Sequence, residues 1–425
     1  MNGYKPRVVD QMLRDELSII GAVVIEGAKW CGKTTTAEQA AASIVYIDEE
    51  GKTDENILLA RTAPERILNG PAPRLVDEWQ LAPSLWDSIR FRVDRAKSPG
   101  AYILTGSAVP PETGEIRHSG AGRFAWLRMR PMSLWESGDS TGGVSLKALF
   151  SDAPPDGAPS SDASLEEIAF LLCRGGWPSV SSLKTNLALN IAFSYVDAVA
   201  KADISRVDGV ERDESRTRRL MRSYARLQGT QSAASAIRAD LAANEAKAFG
   251  EATVCSYVKA LKGIFAVEDM PAWCPNLRSK APVSTSDTRY FTDPSIASAA
   301  LGLGPEDLMN DLRTYGLLFE TMAVRDLRVY AAAQNGSVSH FRDANGLECD
   351  TVVHLRNGRY GLVEIKLGGK ELIEKGAATL NKLASLIDTV KMKPPSFKMV
   401  LTAVGRFAYR RPDGVIVCPI GALKP

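Results

Sequence analysis

Between Val23 and Ala42 the chain reads "VVIEGAKWCGKTTTAEQAAA": a short apolar run, a glycine-bounded polar loop, then an alanine-rich stretch with helical spacing. The same alternation continues to about residue 140. Apolar runs "AVVIEG", "SIVYID", "RLVDE", "AYILTGS" and "FAWLRM" are separated by helix-patterned segments such as "APSLWDSIRFRVDRA". Short continuous apolar runs read as buried strands, and strands alternating with helices predict an α/β domain around a largely parallel sheet.

From Gly142 to Ala163 the pattern gives way to Gly, Pro, Ser and Asp, which predicts a linker or surface loop. Helical spacing then dominates from Leu165 to about Gly263, in "SRTRRLMRSYARLQ", "QSAASAIRADLAA" and "EATVCSYVKALKG". "GIFAVEDMPAW" follows as a predicted hairpin. Three helices and a hairpin are the ingredients of a winged helix. From about Pro305 a helix through Leu318 to Tyr330 precedes apolar runs in "SHFRD", "LECDTVVHL", "YGLVEIK" and "FKMVLTAV", which is α/β patterning again. The expected division is residues 1–140 as the first α/β domain, 141–215 as linker and helical section, 216–304 as a winged-helix-like section and 305–425 as the terminal α/β domain.

Composition narrows the chemistry. No apolar stretch approaches the roughly 20 residues that span a bilayer, and the N-terminus has no secretory pattern, so a cytoplasmic protein without membrane association is expected. The six cysteines lie far apart, without the paired spacing of zinc sites or disulfide frameworks, and read as reduced and mostly buried. Three histidines leave little room for a histidine-rich metal centre or a Ser/His/Asp hydrolase. Net charge is +2, yet residues 366–425 hold eleven Lys and Arg against four Asp and Glu. Such a basic end suits either phosphate backbones or a solvated lysine-rich face.

Gly27, Gly32, Lys33 and Thr34 complete the pattern G-x-x-x-x-G-K-[ST], followed by Thr35, between a predicted strand and a helix. Glycines let such a loop curl its N–H groups around phosphates. Lysine adds charge, threonine ligates Mg²⁺, and the helix start is electropositive. ATP and Mg²⁺ are the expected ligands, bound across Gly27–Thr35. Asp77, ending the run "RLVD", is placed to organise the Mg²⁺ shell, with Glu78 beside it as the base for water. Ser107 or Thr105, at the end of "YILTGS", is a candidate γ-phosphate sensor. Arg123, in a Gly-Ala-Gly context with Arg128 and Arg130 on the next strand, is the candidate arginine for transition-state charge, in cis or from a neighbouring copy in a homo-oligomer.

A second constellation lies near the C-terminus. Glu320 falls in a helix, Asp350 in "ECDTVV", and Glu364 and Lys366 on one face of "LVEIK". Carboxylates converging beside a lysine suit a Mg²⁺ site for phosphodiester cleavage. A vestigial site, or a surface pair on a domain used only for binding, is the alternative.

The motifs "GAKWCGKTT", "RLVDEWQLAPSLWDSIR", "ILTGSA", "GAGRFAWLRMRPMSLWE", "RGGWPS", "YFTDPSIA", "LLFETMAVRDL", "FRDANGLECDTVV" and "LVEIK" occur in one order. That order resembles a large family of bacterial and archaeal AAA-type ATPases whose C-terminal half is a domain of unknown function. The resemblance implies a P-loop AAA-like core, a winged-helix-like middle and a terminal domain related to the restriction-endonuclease-like fold. Asp350, Glu364-x-Lys366 and the helical Glu320 resemble that superfamily's site. Trp30 and Cys31 are bulkier than the residues usual before the second loop glycine, which bears on nucleotide preference. The leading expectation is a Mg-dependent ATPase whose hydrolysis drives a conformational switch on DNA or RNA. The alternatives are a nuclease regulated by ATP and a non-catalytic nucleotide switch in a defence, mobile-element or toxin–antitoxin setting.

Overall fold

The computed structural model describes residues 3–110, 116, 118–151, 160–244, 249–277 and 283–425. It divides into two units, one of residues 1–131, 201–213 and 258–266, the other of residues 132–200, 214–257 and 267–425.

In the first unit the elements run α1 (Val8–Ile19), β1 (Ala22–Glu26), α2 (Lys33–Glu38), β2 (Ser43–Tyr46), α3 (Thr53–Thr62), α4 (Pro64–Leu68), β3 (Arg74–Asp77), α5 (Leu85–Ala96), β4 (Tyr102–Gly106) and β5 (Phe124–Arg128). The strands form one parallel sheet in the order β2-β3-β4-β1-β5. Because side chains alternate, the apolar run of β1 feeds two cores. Val23 and Ile25 join Val9 and Leu13 of α1 on one face. Ala22 and Val24 join Leu85, Trp86, Ile89 and Val93 of α5 on the other. Each fully buried Val, Leu or Ile among them contributes about 1.5–3 kcal/mol relative to exposure. The parallel register pairs Glu26 with Gly106 and with Arg128, so the carboxyl ends of β1, β4 and β5 share one edge.

The second unit holds the helices Glu214–Arg226, Ala234–Asn244 and Glu251–Tyr257, the last continuing to Gly263. The strand pairing after them differs from the expected hairpin. Val267 pairs with Phe291 and Met270 with Thr288, so "GIFAVEDMPAW" finds its partner beyond a longer excursion that includes residues outside the description. The predicted linker also differs in part: Val144–Ser145 adds as a parallel strand to Leu423–Lys424, and Phe150 is buried against Phe397 with ring centroids 5.1 Å apart. Its residues 152–159 lie outside the described residues.

The C-terminal sheet has six strands, ordered Tyr409–Arg410, Ile416–Pro419, Phe397–Thr402, Tyr360–Lys366, Glu348–Leu355 and Gly336–Arg342. The last three form an antiparallel meander, and Tyr360–Lys366 is parallel to Phe397–Thr402. The helix Lys370–Leu386 supplies Ala377, Leu380 and Leu383 to the core over Val352, Leu362 and Val400.

A buried ionic hub joins four of the sequence motifs within this unit. Arg325 bonds Asp293 at 2.8 Å and Asp326 at 2.8 and 2.9 Å. Asp293 accepts from the N–H of Gly176 and Ser295, and Asp326 from the N–H of Leu134. The indole of Trp177 donates to Ser295. "MSLWE", "RGGWPS", "YFTDPSIA" and "LLFETMAVRDL" thus meet at one scaffold point.

Candidate nucleotide and acidic sites

The loop after β1 turns at Gly27, where φ is 156° and a Cβ would lie 1.9 Å from the Met129 carbonyl oxygen. It ends at Gly32, left-handed at φ 99°, just before α2. Both positions require glycine. Arg7, nearly buried, donates to the carbonyls of Cys31 at 2.7 Å and Arg130 at 2.8 Å and so pins the loop from outside. Lys29 bonds Asp203 at 2.6 Å. The Lys33 ammonium donates to the Ala28 carbonyl at 2.9 Å, holding the charge within the curl of the loop. Thr35 is exposed.

Thr34 donates to Asp77 Oδ1 at 2.8 Å, and Thr105 donates to the same oxygen. Burial raises the Asp77 carboxyl above the usual range, while these two hydroxyls pull it back. Glu78 is left-handed at φ 53°, a cost of about 1–3 kcal/mol for a residue with a Cβ. Its Oε2 accepts from Ser107 at 2.9 Å and from the Gln80 amide. The loop threonine, the strand-end carboxylate, the neighbouring acid and the polar end of β4 therefore stand together.

Arg123 stands apart. Its carbonyl accepts from Ala22 N at the start of β1, and its guanidinium bonds Asp94 at 2.7 Å. That is the sheet edge opposite the loop, about 17 Å away over five residues of strand at ~3.3 Å each. The structure does not bring Arg123 to the loop. Arg128, at the loop edge, bonds Glu26 at 2.7 Å and lies over the Phe265 ring at 4.2 Å.

In the second unit Thr351 faces Val363, which sets Asp350 opposite Glu364. Lys366 bonds Asp350 at 2.9 Å and Glu364 at 2.7 Å, and Asp350 also accepts from Ile365 N at 2.7 Å. Glu320 accepts from Tyr290. Glu320 and Asp350 line a cavity of about 220 Å³ with Tyr290, His340, Arg342 and Gln231. Burial and the nearby Asp350 push Glu320 up to about 8 and Glu364 up to about 7, the latter opposed by Lys366. Burial would lower Lys366, but Asp350 and Glu364 outweigh it and raise it. The donor chemistry suits a hard cation, yet among the described residues no three His, Cys, Asp or Glu side chains are arranged to hold one. The lysine instead closes the charge network.

The Glu320 shift predicts a pH-dependent stability. A carboxyl near 4.3 when unfolded and about 8 when folded binds more protons in the folded state between those values, so its contribution falls as pH rises from about 4.5 to 8. Glu320→Gln should melt close to wild type at pH 5 and above it at pH 8.5, measured in EDTA by circular dichroism. An equal melting difference at both pH values would refute this assignment.

Residues 21–137 match the family model described as "AAA domain". The N-terminal domain has the parallel α/β fold of a P-loop AAA-like core. Residues 165–307 and 315–423 match two further models, "Domain of unknown function (DUF8612)" and "Domain of unknown function (DUF4143)". The chain is 22% identical over 358 residues to the uncharacterized proteins Mb2031c of Mycobacterium bovis and Rv2008c of Mycobacterium tuberculosis, covering 83% of this chain and 72% of each relative. Similar solved structures include the Walker-type ATPase PABY2304 of Pyrococcus abyssi, with 13% identity and a TM-score of 0.40 over 68% of this chain and 94% of that one. The Aeropyrum pernix ORC1 protein in complex with DNA follows, with 12% identity and a TM-score of 0.24 over 68% and 90%. No helix among the described residues is long and apolar enough to cross a membrane.

Within the first unit, sequence reasoning passed over Gln80, whose only signal is its place two residues after Glu78 in "DEWQ". Tyr290 and His340 were passed over in the second unit for the same reason. Nothing local marks them, and only the fold brings them to Glu320 and Asp350.

Proposed function

We propose that the protein binds Mg-ATP across Gly27–Thr35 and hydrolyses it, with Asp77 and Thr34 holding the Mg²⁺ shell and Glu78 activating water. The observation that carries this reading is the Thr34–Asp77 hydrogen bond of 2.8 Å. It joins the loop hydroxyl and a strand-end carboxylate at one point, the pair of oxygen donors a hydrated Mg²⁺ takes. Mg²⁺ bound there would neutralise charge developing on the phosphates. Lys33 exchanges the Ala28 carbonyl for a phosphate oxygen, and Ser107 orients Glu78. Phosphate release that needs ATP and Mg²⁺ tests the reading, and none with either would overturn it. On this reading Arg123 acts only from a second copy, which makes turnover per molecule rise with protein concentration.

The switch is proposed to act on nucleic acid through the helix Glu251–Gly263, whose exposed positions include Glu251, Cys255, Lys259 and Lys262. A helix that offers lysines but few base-reading side chains gives weak sequence preference and affinity that falls steeply with salt. Salt-independent binding, or none, would refute this.

A second reading, a nuclease at Glu320, Asp350, Glu364 and Lys366, is supported by Glu320 and Asp350 lining one cavity and by Lys366 bonding Asp350 and Glu364 on one strand pair. Asp350→Ala should then abolish cleavage of plasmid or RNA while sparing ATP turnover. Purified protein that cleaves neither with Mg²⁺ or Mn²⁺ would leave the domain as a binding platform.

A further inference from the structure

Gln80 occupies the short turn Trp79–Leu81 that follows Glu78, and it is nine-tenths buried. Its amide nitrogen donates to Glu78 Oε2 and lies 3.4 Å from Ser107 Oγ. That orientation is fixed by chemistry, because only the NH₂ end can face a carboxylate. The consequence falls on the other end: Gln80 Oε1 is buried and has no hydrogen-bond partner among the described residues. It lies against Gly106, where a Cβ would come within 3.0 Å of Oε1 and 3.1 Å of the Trp79 indole nitrogen. A methionine or leucine of similar volume would fill this place without stranding an acceptor. The adjacent Glu78 carries its own cost as a left-handed residue with a side chain. Two unfavourable features thus stand side by side at the end of the strand that carries the acid, beside one carboxylate oxygen.

We infer that Gln80 is a positioning residue for ATP hydrolysis: with Ser107 it fixes Glu78 Oε2, leaving Glu78 Oε1 to take the proton of the attacking water. The inference rests on the reading of Glu78 as the base. It goes beyond that reading by naming the side chain that aims the base, in a turn with no phosphate contact of its own.

The test compares Gln80→Met, which keeps length and volume but removes the donor, with Gln80→Glu, which keeps the shape and sets a second carboxylate against Glu78. Steady-state phosphate release gives kcat and KM, and equilibrium titration with a fluorescent ATP analogue gives Kd. Both variants should lose at least tenfold in kcat with Kd within twofold of wild type, and Gln80→Glu should lose more. Native Kd also certifies that the variant is folded. A purely packing role predicts full turnover for Gln80→Met, so kcat within twofold of wild type in either folded variant overturns the inference. Glu78→Gln separates the two levels. If it turns over normally, the base reading fails and takes this one with it. If it is inactive while Gln80→Met is active, only the role of Gln80 is lost.

Discussion

Glu78→Gln is expected to bind ATP with near wild-type affinity and to turn it over roughly 10²–10⁴-fold more slowly, the usual contribution of a positioned general base. Lys33→Ala is expected to fail one step earlier. A charge-assisted hydrogen bond contributes about 1.5–3 kcal/mol, so losing the ammonium should weaken binding by about 10- to 150-fold. The structure separates the two effects. Lys33 sits inside the loop on the Ala28 carbonyl, while Glu78 sits beyond the end of β3 and touches Ser107 and Gln80. Glutamine keeps the shape of Glu78 and can still accept from Ser107, and alanine at position 33 suits the first turn of α2. Neither change disturbs the buried sheet. Titration of a fluorescent ATP analogue and single-turnover phosphate release read the two steps independently. Wild-type turnover by Glu78→Gln would sink the assignment of the base, and unchanged binding by Lys33→Ala would sink the assignment of the loop.

The loop was legible in the sequence because its chemistry is local: glycines, lysine and threonine at fixed spacing need only a strand before and a helix after. Asp77 and Glu78 were legible for a related reason, since a carboxylate ending a buried strand points to the carboxyl edge of a parallel sheet. Arg123 shows where such reasoning stops. Arg123 and Arg128 flank the same strand, yet one lies at the Ala22 edge and the other at the Glu26 edge. Proximity in sequence to a glycine-rich turn says nothing about that. The hub around Arg325 shows the converse limit. The motifs that carry the family resemblance look functional when read singly, but Gly176, Asp293, Arg325 and Asp326 spend their polar groups on one another. The short strand Val144–Ser145 was not legible because glycine and serine also occur where a strand docks, and the partner Leu423–Lys424 lies at the far end of the chain.

Arg325→Ala is expected to destabilise the protein by about 3–5 kcal/mol, the range found when one partner of a buried ion pair is removed. Arg325 is 2% exposed, and Asp293 and Asp326 are fully buried. Without the guanidinium two carboxylates would remain in the interior with only backbone and hydroxyl donors. Burial already raises Asp326, and Arg325 is the largest influence holding it down. In the variant the acids would escape the penalty by taking up protons, so the loss should be larger at pH 8 than at pH 5. Arg325→Lys should recover only part of it, because one ammonium cannot serve Asp293 and both contacts to Asp326 with the geometry of a planar fork. Urea unfolding of the full chain at the two pH values measures both expectations. A loss below about 1 kcal/mol, the level of a surface pair, or one that does not grow with pH, would mean that the hub is not what holds these four motifs together.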